Sequence, residues 1–272
     1  VIEMSTRKDM ALASLRGREV VRHGDIQIDL IHEGAGPVIV MLPSRGRDSE
    51  DFDEVAAGLV NEGFRVLRPQ PRGAHLSSGA SAGIRMQDLA RDVAYVIERE
   101  AAGRAVIAGH AFGNWVARMV ATDHPHLVRG IVLMAAAAKT YPRELHVVVQ
   151  AAGNLGLADD ERLAALRKGF FLRPEDANAW LSGWSAGAMA MQGVAVAATK
   201  QHEYWRAGDA PLLDIVPEQD PFRPRDTWFE ARDSFGERVT VRTIPEASHA
   251  LLPEQPAAVV SEIAAWVRQL PA

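Results

Sequence analysis

At 272 residues, 47% hydrophobic and with a formal net charge of −5, the chain is long enough for a sizeable core and carries no basic field pointing to nucleic acid or an anionic membrane. It has no cysteine, which excludes disulfides, thiolate metal sites and a cysteine nucleophile. No apolar stretch is long enough to span a bilayer, and the first ten residues are charged and lack a signal-type apolar core; a cytoplasmic location is the default expectation, with N-terminal processing left open.

Val1 to Gly17 reads as a loose or partly helical lead. Glu19 to Ile31 alternates around a turn at His23-Gly24-Asp25, which predicts a strand pair. Pro37 to Leu42 is a continuous apolar run, the pattern of a strand buried on both faces, and it ends in the polar loop Pro43-Ser44-Arg45-Gly46-Arg47. Ser49 to Asn61 follows as an amphipathic helix with Gly63 as its stop. Phe64 to Leu67 is the next strand, and a Gly/Ser-rich loop leads to a helix over Met86 to Glu100. Arg104 to Ala108 predicts a strand, Phe112 to Thr122 a helix, and Val128 to Met134 another strand. This alternation argues for a mostly parallel α/β sheet with helices on both faces. From Tyr141 to Ala207 the strand signal stops. Helices are expected over Pro142 to Ala152, Asp159 to Lys168, Pro174 to Trp184 and Gly187 to Trp205. Strands at Pro211 to Val216 and Arg238 to Ile244, with helices at Arg223 to Ser234 and Glu254 to Leu270, then resume the alternation. The expected organisation is a core of residues 1–140 and 208–272, with 141–207 inserted as a helical cap.

Between a strand and a helix lies Gly109-His110-Ala111-Phe112-Gly113. A Gly-x-Ser-x-Gly turn in that setting is a nucleophile elbow, a strained bend that lifts a hydroxyl above the sheet. Here the middle position is Ala111. Three further groups fall at the carboxyl ends of predicted strands, where open α/β sheets bind ligands: the Pro43 to Arg47 loop, Asp220 before Pro221, and His249 before the last helix. In these four features the chain resembles the α/β-hydrolase superfamily, from about Glu19 to its end. The resemblance implies that Ala111 occupies the nucleophile position, His249 is the general base and Asp220 its orienter. It also implies that Phe112 N–H and the Ser44-Arg45 region supply the oxyanion donors.

Other readings stand beside these. Asp220 is also a common turn residue before proline, and Glu218 and Asp214 compete with it as the acid. His110 reads as a packing or substrate-side group rather than a base. Trp180 and Trp184 read either as helix packing or as walls of a substrate pocket. Trp115 faces either the pocket or a neighbouring helix. Arg45 and Arg47 read as solvated loop charges or, near an oxyanion site, as contacts to an anionic substrate. Asp123-His124-Pro125-His126 fits a helix C-terminus without a ligand. No dinucleotide or P-loop fingerprint and no metal-ligand spacing is evident, so no cofactor is expected. The partner expected is a small molecule, and no pattern specifies an oligomeric state. Ala111 admits three functions: a hydrolase of small, moderately apolar esters, lactones or related carbonyl compounds with its serine replaced; a serine-independent lyase, cyclase or hydrolase working through His249 and Asp220; or a ligand-binding member of the fold.

Overall fold

The computed structural model describes residues 16–271, so the lead expected over Val1 to Gly17 lies almost wholly outside the described residues. Eight strands among them form one sheet: β1 (Gly17–His23), β2 (Ile26–Glu33), β3 (Val38–Leu42), β4 (Arg65–Pro69), β5 (Ala105–His110), β6 (Val128–Met134), β7 (Leu212–Pro217) and β8 (Val239–Ile244). Their order is β1-β2-β4-β3-β5-β6-β7-β8. β1 and β2 are the antiparallel edge, and from β4 to β8 every neighbour is parallel.

The apolar runs become two-faced strands because side chains alternate with period two. Ile39, Met41, Val106, Ala108, Val132, Met134, Leu213 and Ile215 join one core cluster, which includes residues of α1 (Asp53–Asn61) and the closing helix. Val40, Leu42, Ala105, Ile107, Ile131, Leu133 and Leu212 point the other way, into a cluster shared with α2 (Met86–Glu100) and α3 (Phe112–Asp123). Gly63 follows α1 at φ +86°, a left-handed stop open to glycine without steric cost.

Between β6 and β7 the chain contains α4 (Glu144–Gly153), α5 (Asp159–Gly169) and α6 (Ala186–Ala197). Two expected helices there are shorter than their patterns. Pro174–Trp180 is a 3-10 helix, and the chain turns at Gly183 with φ +77°, so Trp184 leaves the helical path. The run to Trp205 breaks after Ala197; Thr199 Oγ1 instead accepts from Met86 N–H at 3.1 Å, and Gln201–Glu203 is a separate 3-10 turn. After β7, the helix expected over Arg223 to Ser234 contracts to α7 (Glu230–Phe235), with a 3-10 turn over Arg225–Thr227 next to Pro224. Pro256 splits the last helix into α8 (Leu251–Glu254) and α9 (Pro256–Gln269), because a residue before proline is pushed off helical geometry.

Arg47 does not behave as a solvated loop charge. It is buried, ion-paired with Asp51, and stacked between Trp180 and Trp184, with its guanidinium carbon 4.9 Å from each ring centroid. It donates to the carbonyls of Trp180 and Ser182. Gly46 N–H reaches Gln192 Oε1 at 2.7 Å, and Ser185 N–H reaches Gly46 O at 2.8 Å. The loop after β3 therefore clamps the inserted helices to the sheet. Trp180 and Trp184 serve this clamp, and neither is among the residues that line the chamber described below.

Candidate active site

Ala111 joins β5 to α3 at φ 45°, ψ −111°. A non-glycine residue there is strained by about 1–3 kcal/mol and persists only when its surroundings hold it. The holding is visible. Ala111 N–H donates to Met134 O at 2.9 Å, and its carbonyl accepts from Asn114 N–H at 3.1 Å and from the Asn114 side chain. Asn114 in turn accepts from Arg118 Nε at 2.9 Å. The flanking glycines are required by contact: a Cβ at Gly109 would lie 2.3 Å from the Gly113 backbone, and one at Gly113 would lie 2.1 Å from Leu42 O.

His249 lies between β8 and α8, on a loop laced to the β7 loop. Gln219 N–H donates to Ala247 O at 3.0 Å, and Ser248 Oγ donates to Gln219 O at 3.2 Å. These bonds set His249 Nδ1 3.0 Å from Asp220 Oδ2, with both side chains buried. Asp220 is also a turn residue, since its Oδ1 accepts from Phe222 N–H at 2.9 Å. Asp220 thus makes both a turn contact and a contact to His249, one on each carboxylate oxygen. Its competitors are placed elsewhere: Asp214 is in β7, paired with Arg223 at 2.7 Å, and Glu218 is exposed. The His249 ring packs on Phe222 and Phe170 at centroid distances of 4.3 and 5.4 Å, so the inserted helices reach the histidine directly. Nε2 of His249 has no hydrogen-bond partner among the described residues.

Ala111, Phe112, Ser44, Arg45 and His249 line one chamber, which holds about 590 Å³ including its open mouth. Trp115 also lines it, and packs against Phe112 and Tyr204. The sequence reading missed Ala137, Tyr141, His146, Val149, Phe170 and Phe222, which complete the wall. Of these only His146 and Val149 fall inside an expected helix, Pro142 to Ala152, and nothing in the spacing of the six marks them as neighbours of Ala111. Among the described residues, no group of three or more His, Cys, Asp or Glu side chains is placed to hold a metal ion.

His110 lies behind the wall. It is fully buried, edge-on to Trp180, and its Nε2 is 2.8 Å from the His249 carbonyl, to which it donates. Burial, reinforced by neighbouring His249, lowers its pKa to about 3. An unfolded histidine binds a proton near pH 6.5, whereas the folded one resists until about 3. The stability this neutral ring supports is complete above pH 6.5 and is lost as pH falls toward 3, at up to ~1.4 kcal/mol per pH unit. His110→Gln keeps an N–H donor and does not titrate. Urea midpoints at pH 7.5 and 4.5 should therefore differ less in the variant than in the parent; an equal pH dependence would remove His110 from this role.

A twisted, mostly parallel sheet with a bent strand-to-helix turn, and a histidine–carboxylate pair over its carboxyl edge, defines the class of protein. The family profile described as the alpha/beta hydrolase fold matches residues 37–256, and the chain belongs to that family. Among curated relatives, pyrrolizixenacetamide deacetylase of Xenorhabdus hominickii is 31% identical over 117 residues, 43% of this chain and 44% of that protein. The 2-(acetamidomethylene)succinate hydrolase of Mesorhizobium japonicum is 28% identical over 109 residues, 40% of this chain and 39% of that protein. The matched segment thus spans less than half the length of these curated relatives. The crystal structure of E-2-(acetamidomethylene)succinate hydrolase superposes with a TM-score of 0.77 at 18% identity, covering 93% of this chain and 100% of that one. A thermophilic esterase from Thermogutta terrifontis gives 0.72 at 21%, covering 94% and 99%. These structural likenesses show the fold. Among the described residues, no helix is long and apolar enough to cross a membrane.

Proposed function

We propose that the protein hydrolyses a small, moderately apolar ester, lactone or related acyl compound, with His249 as general base on water and Ala111 in the nucleophile position. The observation that carries this is the His249–Asp220 pair at 3.0 Å, which occupies Nδ1 and leaves Nε2 unpartnered in a histidine that lines the same chamber as Ala111. Nε2 removes a proton from water as the water oxygen bonds to the substrate carbonyl carbon. The resulting oxyanion is held by the N–H groups of Phe112 and Arg45, neither of which has a backbone acceptor among the described residues. The intermediate then expels its leaving group, which takes the proton back from His249. No acyl-enzyme forms. The names of the relatives, a deacetylase and a hydrolase, support acyl chemistry.

The test is hydrolysis of p-nitrophenyl acetate and of a γ-lactone by the parent and by His249→Ala. Loss of a positioned general base is expected to lower kcat/KM by on the order of 10²–10⁴. A parent protein that turns over at the same rate without His249 defeats the proposal.

A further inference from the structure

The protein finds a partner for most of its buried guanidinium groups. Arg47 pairs with Asp51, Arg68 with Glu33 and Asp53, Arg72 with Asp92, and Arg223 with Asp214. Arg118 and Arg162, without a close buried acid, donate to backbone carbonyls. Arg45 breaks the pattern. It is more than half withdrawn from water, yet it forms no hydrogen bond or ion pair among the described residues, and its Nε is fully buried without an acceptor. Arg45 is partly buried, and a charge partly withdrawn from water without a compensating partner is unfavourable, so the missing partner calls for an explanation.

The surroundings point to a ligand. Arg45 lines the chamber that contains Ala111 and His249, and it also lines an outer groove between α4 and α6. Neither space is lined by an aspartate or a glutamate. Among the described residues, no acid is placed to neutralise the guanidinium from either side. The same chamber is lined by Tyr141, whose Oη is 3.3 Å from His146 Nδ1, and by His146 itself. Arg45 and Tyr141 are close enough to be electrostatically coupled.

We propose that Arg45, with Tyr141 and His146 lining the same chamber, is a subsite for a carboxylate carried by the substrate at the end remote from the bond that is hydrolysed. One guanidinium fork matches one planar carboxylate, and a single formal cation matches a single negative charge. Because the proposed oxyanion donor is Arg45's own backbone N–H, the two recognised groups of the substrate are separated by one arginine side chain. The substrate class is therefore a short acyl compound with a free terminal acid. The reading rests on the acyl-hydrolysis proposal for the position of the scissile bond, but the binding site stands without turnover.

The experiment is calorimetric binding of monomethyl glutarate and of dimethyl glutarate, which differ by one charge. The parent protein should bind the monoacid at least 10-fold more tightly. Arg45→Met should weaken monoacid binding by about 10- to 100-fold, the usual range for a hydrogen-bonded charge, while leaving diester binding within about threefold. Removing an unpaired, partly buried cation should leave the melting temperature unchanged or raise it. His249→Ala should retain monoacid binding, so a failure of the catalytic proposal is distinguishable from a failure of the subsite. Equal binding of the two compounds by the parent, no binding of the monoacid, or an Arg45→Met protein that binds as the parent does would each overturn the subsite. The first two need no variant, so the proposal stays testable if Arg45→Met does not fold.

Discussion

Ala111→Ser is expected to become stoichiometrically labelled by a fluorophosphonate and to show an acyl-enzyme burst, while the parent shows neither. The reason lies in what has been kept. The elbow still holds residue 111 at φ 45°, ψ −111°, pinned by Met134 O and by the Asn114–Arg118 relay. Glycines 109 and 113 still permit the close crossing of strand and helix. Alanine has no group that profits from being lifted in this way, so the strain serves a position rather than the present side chain. A hydroxyl placed there would line the same chamber as His249, whose Nε2 is unpartnered and whose Nδ1 is already held by Asp220. A serine nucleophile working with such a base forms an acyl-enzyme and splits one difficult step into two easier ones. Its gain over direct attack by water should be on the order of 10³ or more in kcat/KM for an activated ester. Adding His249→Ala to the serine variant should abolish the label, which ties the gain to the pair and not to a fortuitously reactive hydroxyl. A folded Ala111→Ser protein that stays unlabelled and no faster than the parent would mean that the chamber no longer presents a carbonyl to this position, and the water mechanism would then stand alone.

The parts of this arrangement that sequence reveals are those written in short-range chemistry. Buried strands announce themselves as apolar runs, and the elbow is five consecutive residues where one such run meets a helical pattern. Asp220 and His249 could be placed because each follows a strand, at the edge where loops of this architecture converge. What sequence hides is set by contacts across long separations. Arg47 looks like a loop charge until Trp180 and Trp184, over 130 residues later, are seen on its two faces. The same contacts place the two tryptophans in the clamp, the packing role that was one of their two sequence readings, and not on the chamber wall that was the other. His110 next to the elbow shows a related limit: its neighbour in sequence is Ala111, but its ring turns back to hold the His249 carbonyl. Helix ends were misjudged where a single residue outweighs periodicity, as Pro256 does in the last helix and Gly183 after Trp180. Arg45 was ambiguous for a different reason. Its lack of a partner is a property of every wall around it, which no local pattern records.

Asp214→Ala is expected to destabilise the protein by about 3 kcal/mol, the lower end of the cost of removing the close partner of a buried charge, because Arg223 keeps Glu230 at 3.8 Å. In a chain of this size that lowers the melting temperature by roughly 10 °C. Asp214 lies in β7 with no exposed surface, and its Oδ2 accepts from Arg223 at 2.7 Å. Arg223 then binds three carbonyls: Ala136 and Thr227 at 3.0 Å and Trp228 at 3.2 Å. It thus ties the sheet to the segment after Asp220, and its own N–H closes the turn on Asp220 O at 3.0 Å. The pair is the anchor of the loop that presents Asp220 to His249. Two effects should therefore separate. Stability falls with the loss of the close partner, and activity dependent on His249 falls further, measured at a temperature where the variant is still folded, because the carboxylate loses its fixed position. The double variant Asp214→Leu with Arg223→Met decides between them. Removing both charges should recover much of the lost stability, since a buried ion pair is often no better than apolar residues of similar volume. It should not recover activity, because the carbonyl contacts that fix the Asp220 turn go with the guanidinium. A double variant that regains stability and activity together would show that only the stranded charge mattered, and that the turn keeps its shape without Arg223.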